Sequence, residues 1–116
     1  MQYATVGATG NQALRSALAQ AHREGLEPSI YCHPIGYHGH AAGPPIGMVD
    51  NQEGIPGRGD DVFRPNTWHS IELNVKHKVS EWGDQTVQFA LEEDAALLDG
   101  GWQWIDGRQT QFYLIR

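Results

Sequence analysis

Residues 67–79 read TWHSIELNVKHKV and alternate with a period of two. Ile71, Leu73, Val75 and Val79 fall on one side, and Trp68, Ser70, Glu72 and Asn74 on the other. Side chains of a strand point to opposite faces in turn, so this pattern predicts a long strand with one face on a core and one face open. Glu72 belongs to the open face. Gly83 and Asp84, after Trp82, mark a turn, and the alternation then resumes with Val87, Phe89 and Leu91 on one face and Gln88, Ala90 and Glu92 on the other. Glu92 is again on the polar side. Further on, Asp99-Gly100-Gly101 and Asp106-Gly107 are hairpin signals that predict strands over residues 102–105 and 111–115.

Upstream, Asn11 is a reasonable N-cap for a helix whose apolar positions Ala13, Leu14, Ala17, Leu18 and Ala21 recur at helical spacing, with Gly25 as the stop. Residues 29–32 read as a short buried strand that delivers His33 at its end. Residues 34–66 hold most of the chain's glycine and proline, and a stretch this long without periodicity predicts a functional loop. Overlapping its start, residues 31–47, YCHPIGYHGHAAGPPIG, bring His33, His38 and His40 close in sequence. Arg58-Gly59-Asp60 reads as a charged turn. One helix and several hairpin-connected strands predict an α+β domain with the helix on one face of the sheet.

At 116 residues the chain makes one domain with a modest core, and its net charge of −6, from 8 basic and 14 acidic residues, offers no basic stripe for a nucleic acid. No run reaches the roughly 20 apolar residues that span a bilayer, so no membrane partner and a cytoplasmic location are expected. Cys32 is the single cysteine and cannot form an internal disulfide. A small buried strand residue is its expected role, with a thiolate ligand or nucleophile as the alternative.

One imidazole and two carboxylates from different strands can fill three positions of a divalent cation and leave one for water or substrate. His33, Glu72 and Glu92 make such a set. Taken singly, each glutamate also reads as a solvated charge, His33 as a hydrogen-bonded strand-end histidine, and His38 as a loop histidine.

The runs HPIGYHGH, SIELNV and ALEEDAALL, in this order, resemble the C-terminal half of the creatinase, prolidase, Xaa-Pro aminopeptidase and methionine aminopeptidase family, the pita-bread metallopeptidases. The resemblance runs from about Asn11 to the end of the chain and covers about half of a family catalytic domain. It implies that His33 is the metal-binding histidine, that His40, seven residues on, contacts substrate and the developing oxyanion, that Glu72 binds metal and shuttles a proton, and that Glu92 is the final metal-bridging glutamate. Glu93 is the rival of Glu92, but its side chain should point with Leu91 into the core. His38 is a further ligand or substrate contact in this reading. The family's two aspartate ligands lie upstream of the matched helix, where this sequence has none before Asp50; Asp60 and Asp61 are expected to be solvated turn residues.

The expectation is therefore half of a pita-bread domain, a curved and mainly antiparallel sheet paired in a homodimer that covers the exposed face. Its function would be that of a metal-dependent hydrolase acting on a short peptide or other small-molecule substrate. Metal-activated water would be the nucleophile, Glu72 the general base, and His40, aided by His38, the group that stabilises charge or protonates the leaving group. Zinc, manganese, cobalt or iron would each suit one nitrogen and two oxygen donors. The alternatives are a promiscuous metallohydrolase acting on glycosides, esters or phosphoesters, with Trp68 as an aromatic platform, and a metal-binding half-domain or assembly subunit without activity.

Overall fold

The structure, a computed structural model, describes residues 1–115. One helix, α1 (Gly10–Arg23), precedes six strands: β1 (Glu27–Ile30), β2 (His33–Gly36), β3 (Gly39–His40), β4 (Thr67–Val79), β5 (Gln85–Leu98) and β6 (Gly101–Trp104). All strand pairings are antiparallel, in the order β3-β2-β4-β5-β6, with β1 also on β4. The expected α+β architecture, a mostly antiparallel sheet with one helix, is what forms. Among the described residues, no helix is long and apolar enough to cross a membrane.

β4 is the axis of the sheet. On one side it pairs with β5 without a break, from Thr67↔Leu97 to Val79↔Gln85. On the other side, β1 and β2 share a single register, with Ile30 opposite Leu73 and His33 opposite Ser70. Odd-numbered β4 positions therefore face the core, where His69 and partly buried Ile71 and Leu73 meet Leu14 of α1, Phe63, Cys32 and Leu97. Even-numbered positions face away from it.

The helix begins two residues earlier than the sequence suggests. Thr9 is its cap: its hydroxyl accepts from the Gln12 amide at 3.1 Å, and the Gln12 side chain accepts from the Thr9 amide at 2.9 Å. This reciprocal pair satisfies two amides that the helix start leaves open. Asn11, expected to be the cap, lies instead within the first turn, and its buried amide reaches outward. It donates to Ile55 O at 3.0 Å and Asp60 Oδ1 at 2.8 Å and accepts from Ile55 N at 2.8 Å. Gly59 sits so close that a Cβ there would collide with this amide.

The region 34–66 is more ordered than its composition implies. Pairing of Ile35 with His40 and of Gly36 with Gly39 makes a small hairpin around Tyr37 and His38, with Gly39 at φ 101°, which a side chain would oppose. Farther on, Cys32 and Ile46 exchange backbone hydrogen bonds at 3.0 and 2.8 Å. Gln52 then spans β1 by accepting from Ile30 N and donating to Ile30 O at 2.8 and 2.9 Å. Arg58–Asp60 is a single 3-10 turn, the charged turn expected of it.

The tail departs from expectation. Residues 111–115 form no strand, because the chain leaves the sheet after Ile105 N bonds Asp94 O and does not return onto β6. Phe112, Tyr113, Leu114 and Ile115 are all exposed. Glu93 and Leu91 do share the helix-side face, but the core stops short of them: Leu91 is exposed, and Glu93 accepts a hydrogen bond from Gln109 N at 2.7 Å.

Removing the Asn11 amide leaves the buried Ile55 N–H without an acceptor, and takes from Ile55 O one of its two donors, the other being Gly59 N. Asn11→Ala is expected to cost on the order of 2–3 kcal/mol of unfolding free energy in urea titration, whereas Gln12→Ala, which loses only half of the cap, should cost no more than about 1 kcal/mol.

Candidate functional site

The common register on both sides of β4 decides which side chains meet. Tyr31 donates its amide to Glu72 O at 3.0 Å, and Glu72 stands opposite Glu92; one row along, His33 stands opposite Ser70, which stands opposite Asp94. Residues directly opposite in an antiparallel sheet project from the same face. Tyr31, His33, Ser70, Glu72, Glu92 and Asp94 thus share the face that the core does not use.

His33 is held at two points. Its Nδ1 is 3.1 Å from the carbonyl of Pro34, which can only accept, so Nδ1 carries the proton and Nε2 presents a lone pair. Nε2 lies 4.0 Å from Glu72 Oε2. The ring of His40, brought back by the β2–β3 hairpin, packs against that of His33 at a tilt of 42° with 4.0 Å between centroids, and its Nε2 is 3.0 Å from the Tyr31 hydroxyl. Ser70 donates to Glu92 Oε1 at 2.8 Å. Of the residues singled out in the sequence, His33, His40 and Glu72 come together, and Glu92 stands beside them, restrained by Ser70. His38 does not join them: it is exposed at the hairpin turn with its ring edge-on to Tyr37.

Among the described residues, no three His, Cys, Asp or Glu side chains are close enough together to hold a metal ion as they stand. His33 and Glu72 are one cation's width apart, and the Ser70 hydrogen bond engages one oxygen of Glu92.

His33, His40 and Tyr31 form one wall of a cleft of about 430 Å³, with Pro34, Pro45 and Met48 as apolar lining and Arg58 and Asp61 at its polar end. Asp60 and Asp61 are committed elsewhere. Asn11 and the Gly57 amide hold the Asp60 carboxyl below its ordinary pKa, and Arg64, 3.0 Å from Asp61, does the same for its partner. Cys32 lies on the opposite face, 3 % exposed, with burial pushing its thiol up to about 12. A thiol so protonated is neither nucleophile nor ligand at neutral pH.

Tyr31 and Ser70 were not singled out by sequence, although each lies two positions from a residue that was, which is the spacing of a shared strand face. His69 was also missed. It is fully buried against Phe63 and Trp102, its Nε2 donates to Pro44 O at 3.3 Å, and its Nδ1 has no partner among the described residues. It ties the proline-rich cleft wall to β4.

Comparison of the chain with protein-family models, curated proteins and solved structures returned no match.

Burial pushes the His69 pKa below its ordinary value of 6.5. The unfolded chain therefore takes up this proton before the folded one, and the stability that neutral His69 contributes is present above about pH 6.5 and lost as pH falls below it. Urea unfolding of the wild type should weaken between neutral and mildly acidic pH, by no more than about 1.4 kcal/mol per pH unit from this group. His69→Phe should show a flatter profile over the same range.

Proposed function

We propose that the open face of the sheet carries the metal-binding part of a hydrolase centre of the pita-bread metallopeptidase kind, with a peptide bond as its target. The observation that carries this reading is the register of β4, which places the imidazole of His33 and the carboxylates of Glu72 and Glu92, with Asp94 one row along, on a single face away from the core, with His33 Nε2 and Glu72 Oε2 4.0 Å apart. Core packing does not call for these residues. Their chemistry is that of a mixed nitrogen and oxygen donor set for a divalent ion.

His33, through Nε2, and the carboxylates of Glu72 and Glu92 would hold zinc, manganese, cobalt or iron. Such an ion supplies Lewis-acid activation of water and of the scissile carbonyl. Glu72 is placed to take a proton at Oε2, and Ser70 keeps Glu92 turned toward the same row. His40, packed against His33 at the cleft wall, would donate a hydrogen bond to charge developing on the substrate. The cleft is open and partly apolar, suited to a short peptide. His38, at the turn beyond the cleft wall, could reach only the outer end of such a substrate.

A second copy of the chain belongs to the same proposal. Trp68, Leu91 and the Phe112 to Ile115 segment are exposed apolar surface that a homodimer would cover.

Purified protein dialysed against each metal in turn should retain about one equivalent by elemental analysis. His33→Ala and Glu92→Ala should each lose it, and retention in both variants refutes the site. Hydrolysis of short peptides should stop on chelation and fall by about a hundredfold or more in Glu72→Gln. Sedimentation equilibrium at micromolar concentration should give the dimer mass, and a metal-loaded monomer would count against the assembly.

A further inference from the structure

We infer that Tyr31 is a positioning residue for His40, fixing that ring in its Nδ1–H tautomer. The hydroxyl of Tyr31 lies 3.0 Å from His40 Nε2, and the two rings are 6.3 Å apart. A phenol is a better donor than an imidazole N–H, and a neutral imidazole nitrogen is the better acceptor, so the proton of this bond sits on the tyrosine oxygen. Nε2 of His40 is then the lone-pair nitrogen and Nδ1 the one that bears hydrogen. His40 is thereby left with one N–H to offer, at a defined nitrogen.

The surroundings hold Tyr31 firmly enough for this role. Its amide is fixed to Glu72 O, and its ring stands 5.5 Å from that of His33, which itself packs at a tilt against His40. His40 comes from a two-residue strand and is exposed, so little besides this hydroxyl and the His33 ring orients it. A donor of hydrogen bonds to developing charge needs both its tautomer and its orientation set before substrate arrives. Tyr31 supplies both from the short link between β1 and β2 that leads into His33.

The catalytic meaning of this bond rests on the hydrolase proposal, but the bond itself does not, and it is open to measurement in metal-free protein without substrate. Long-range proton–nitrogen correlation spectra of histidine-labelled protein at about pH 8, where ordinary imidazoles are neutral, report the tautomer of each ring. In the wild type His40 should show a proton-bearing Nδ1 and a hydrogen-bonded, lone-pair Nε2. In Tyr31→Phe, which keeps the ring and loses only the hydroxyl, the His40 signals should move toward the Nε2–H form that a free imidazole favours. An Nε2–H His40 in the wild type, or identical His40 signals in the two proteins, would overturn the assignment. The wild-type spectrum decides even if the variant folds poorly. Metal uptake in Tyr31→Phe should equal that of the wild type, and its loss would make Tyr31 a ligand instead of a positioning residue. Absence of metal binding in every protein, with the tautomer as expected, would reject the hydrolase centre and leave the Tyr31–His40 pair standing.

Discussion

The register of β4 is the constraint on which everything else in this molecule depends. A strand presents alternate residues to alternate faces, so a slip of one position would send Ile71 and Leu73 to solvent and bring Glu72 against α1. Burial of the apolar row forbids that slip. The same forces that close the core therefore hold Glu72 on the outer face, and because β1, β2 and β5 all take their register from β4, they hold Tyr31, His33 and Glu92 there too. The site is a by-product of the core in a literal sense: its geometry is set by hydrophobic residues that it never touches.

The cleft wall is kept in place by different means. The backbone of residues 41–66 meets the sheet only at single points, through Ala41, Ile46 and Asn66, and side chains do the rest: Asn11 closes on Ile55 and Asp60, Gln52 on Ile30 and Met48, and His69 on Pro44. A buried side-chain amide contributes a few hydrogen bonds at one point, where a strand would contribute a ladder along its length. This wall should open locally at a lower cost than the β4–β5 ladder. The cleft therefore has one rigid side and one pinned side.

The parts of the fold legible from sequence were those with a long period. β4 and β5 declared themselves through uninterrupted alternation, and with them the shared face of Glu72 and Glu92. A short strand before His33 was legible, but it spans Glu27–Ile30 where residues 29–32 were expected, and His33 opens the next strand in the same register instead of closing this one. Shorter or non-periodic features were not. The β2–β3 hairpin pairs only two residues on each side, too few for alternation to show, yet it is what returns His40 to His33. Asn11 has the chemistry of a helix cap, and nothing local to it reveals that its partners lie more than forty residues away. The tail from Gln111 follows a hairpin signal, but a strand also needs an edge to pair with, and the turn at Asp106 and Gly107 does not point it back to β6. Tyr31 was passed over for His38 because histidine is the more obvious reactive residue; the bond of its amide to Glu72 O places the tyrosine at the cluster, and the hairpin carries His38 away from it.

Cys32 lies between Tyr31 and His33 in sequence and behind them in space, its thiol donating to Glu72 O at 3.4 Å. With its pKa near 12 and its side chain sealed under the sheet, it is silent toward alkylating and oxidising reagents while β1 and β2 stay on β4. As the chain's single thiol, it is also a natural chronometer: the rate at which it becomes labelled counts how often this strand lifts away from the sheet. Any reagent that reacts with it has registered an opening of the wall that carries His33.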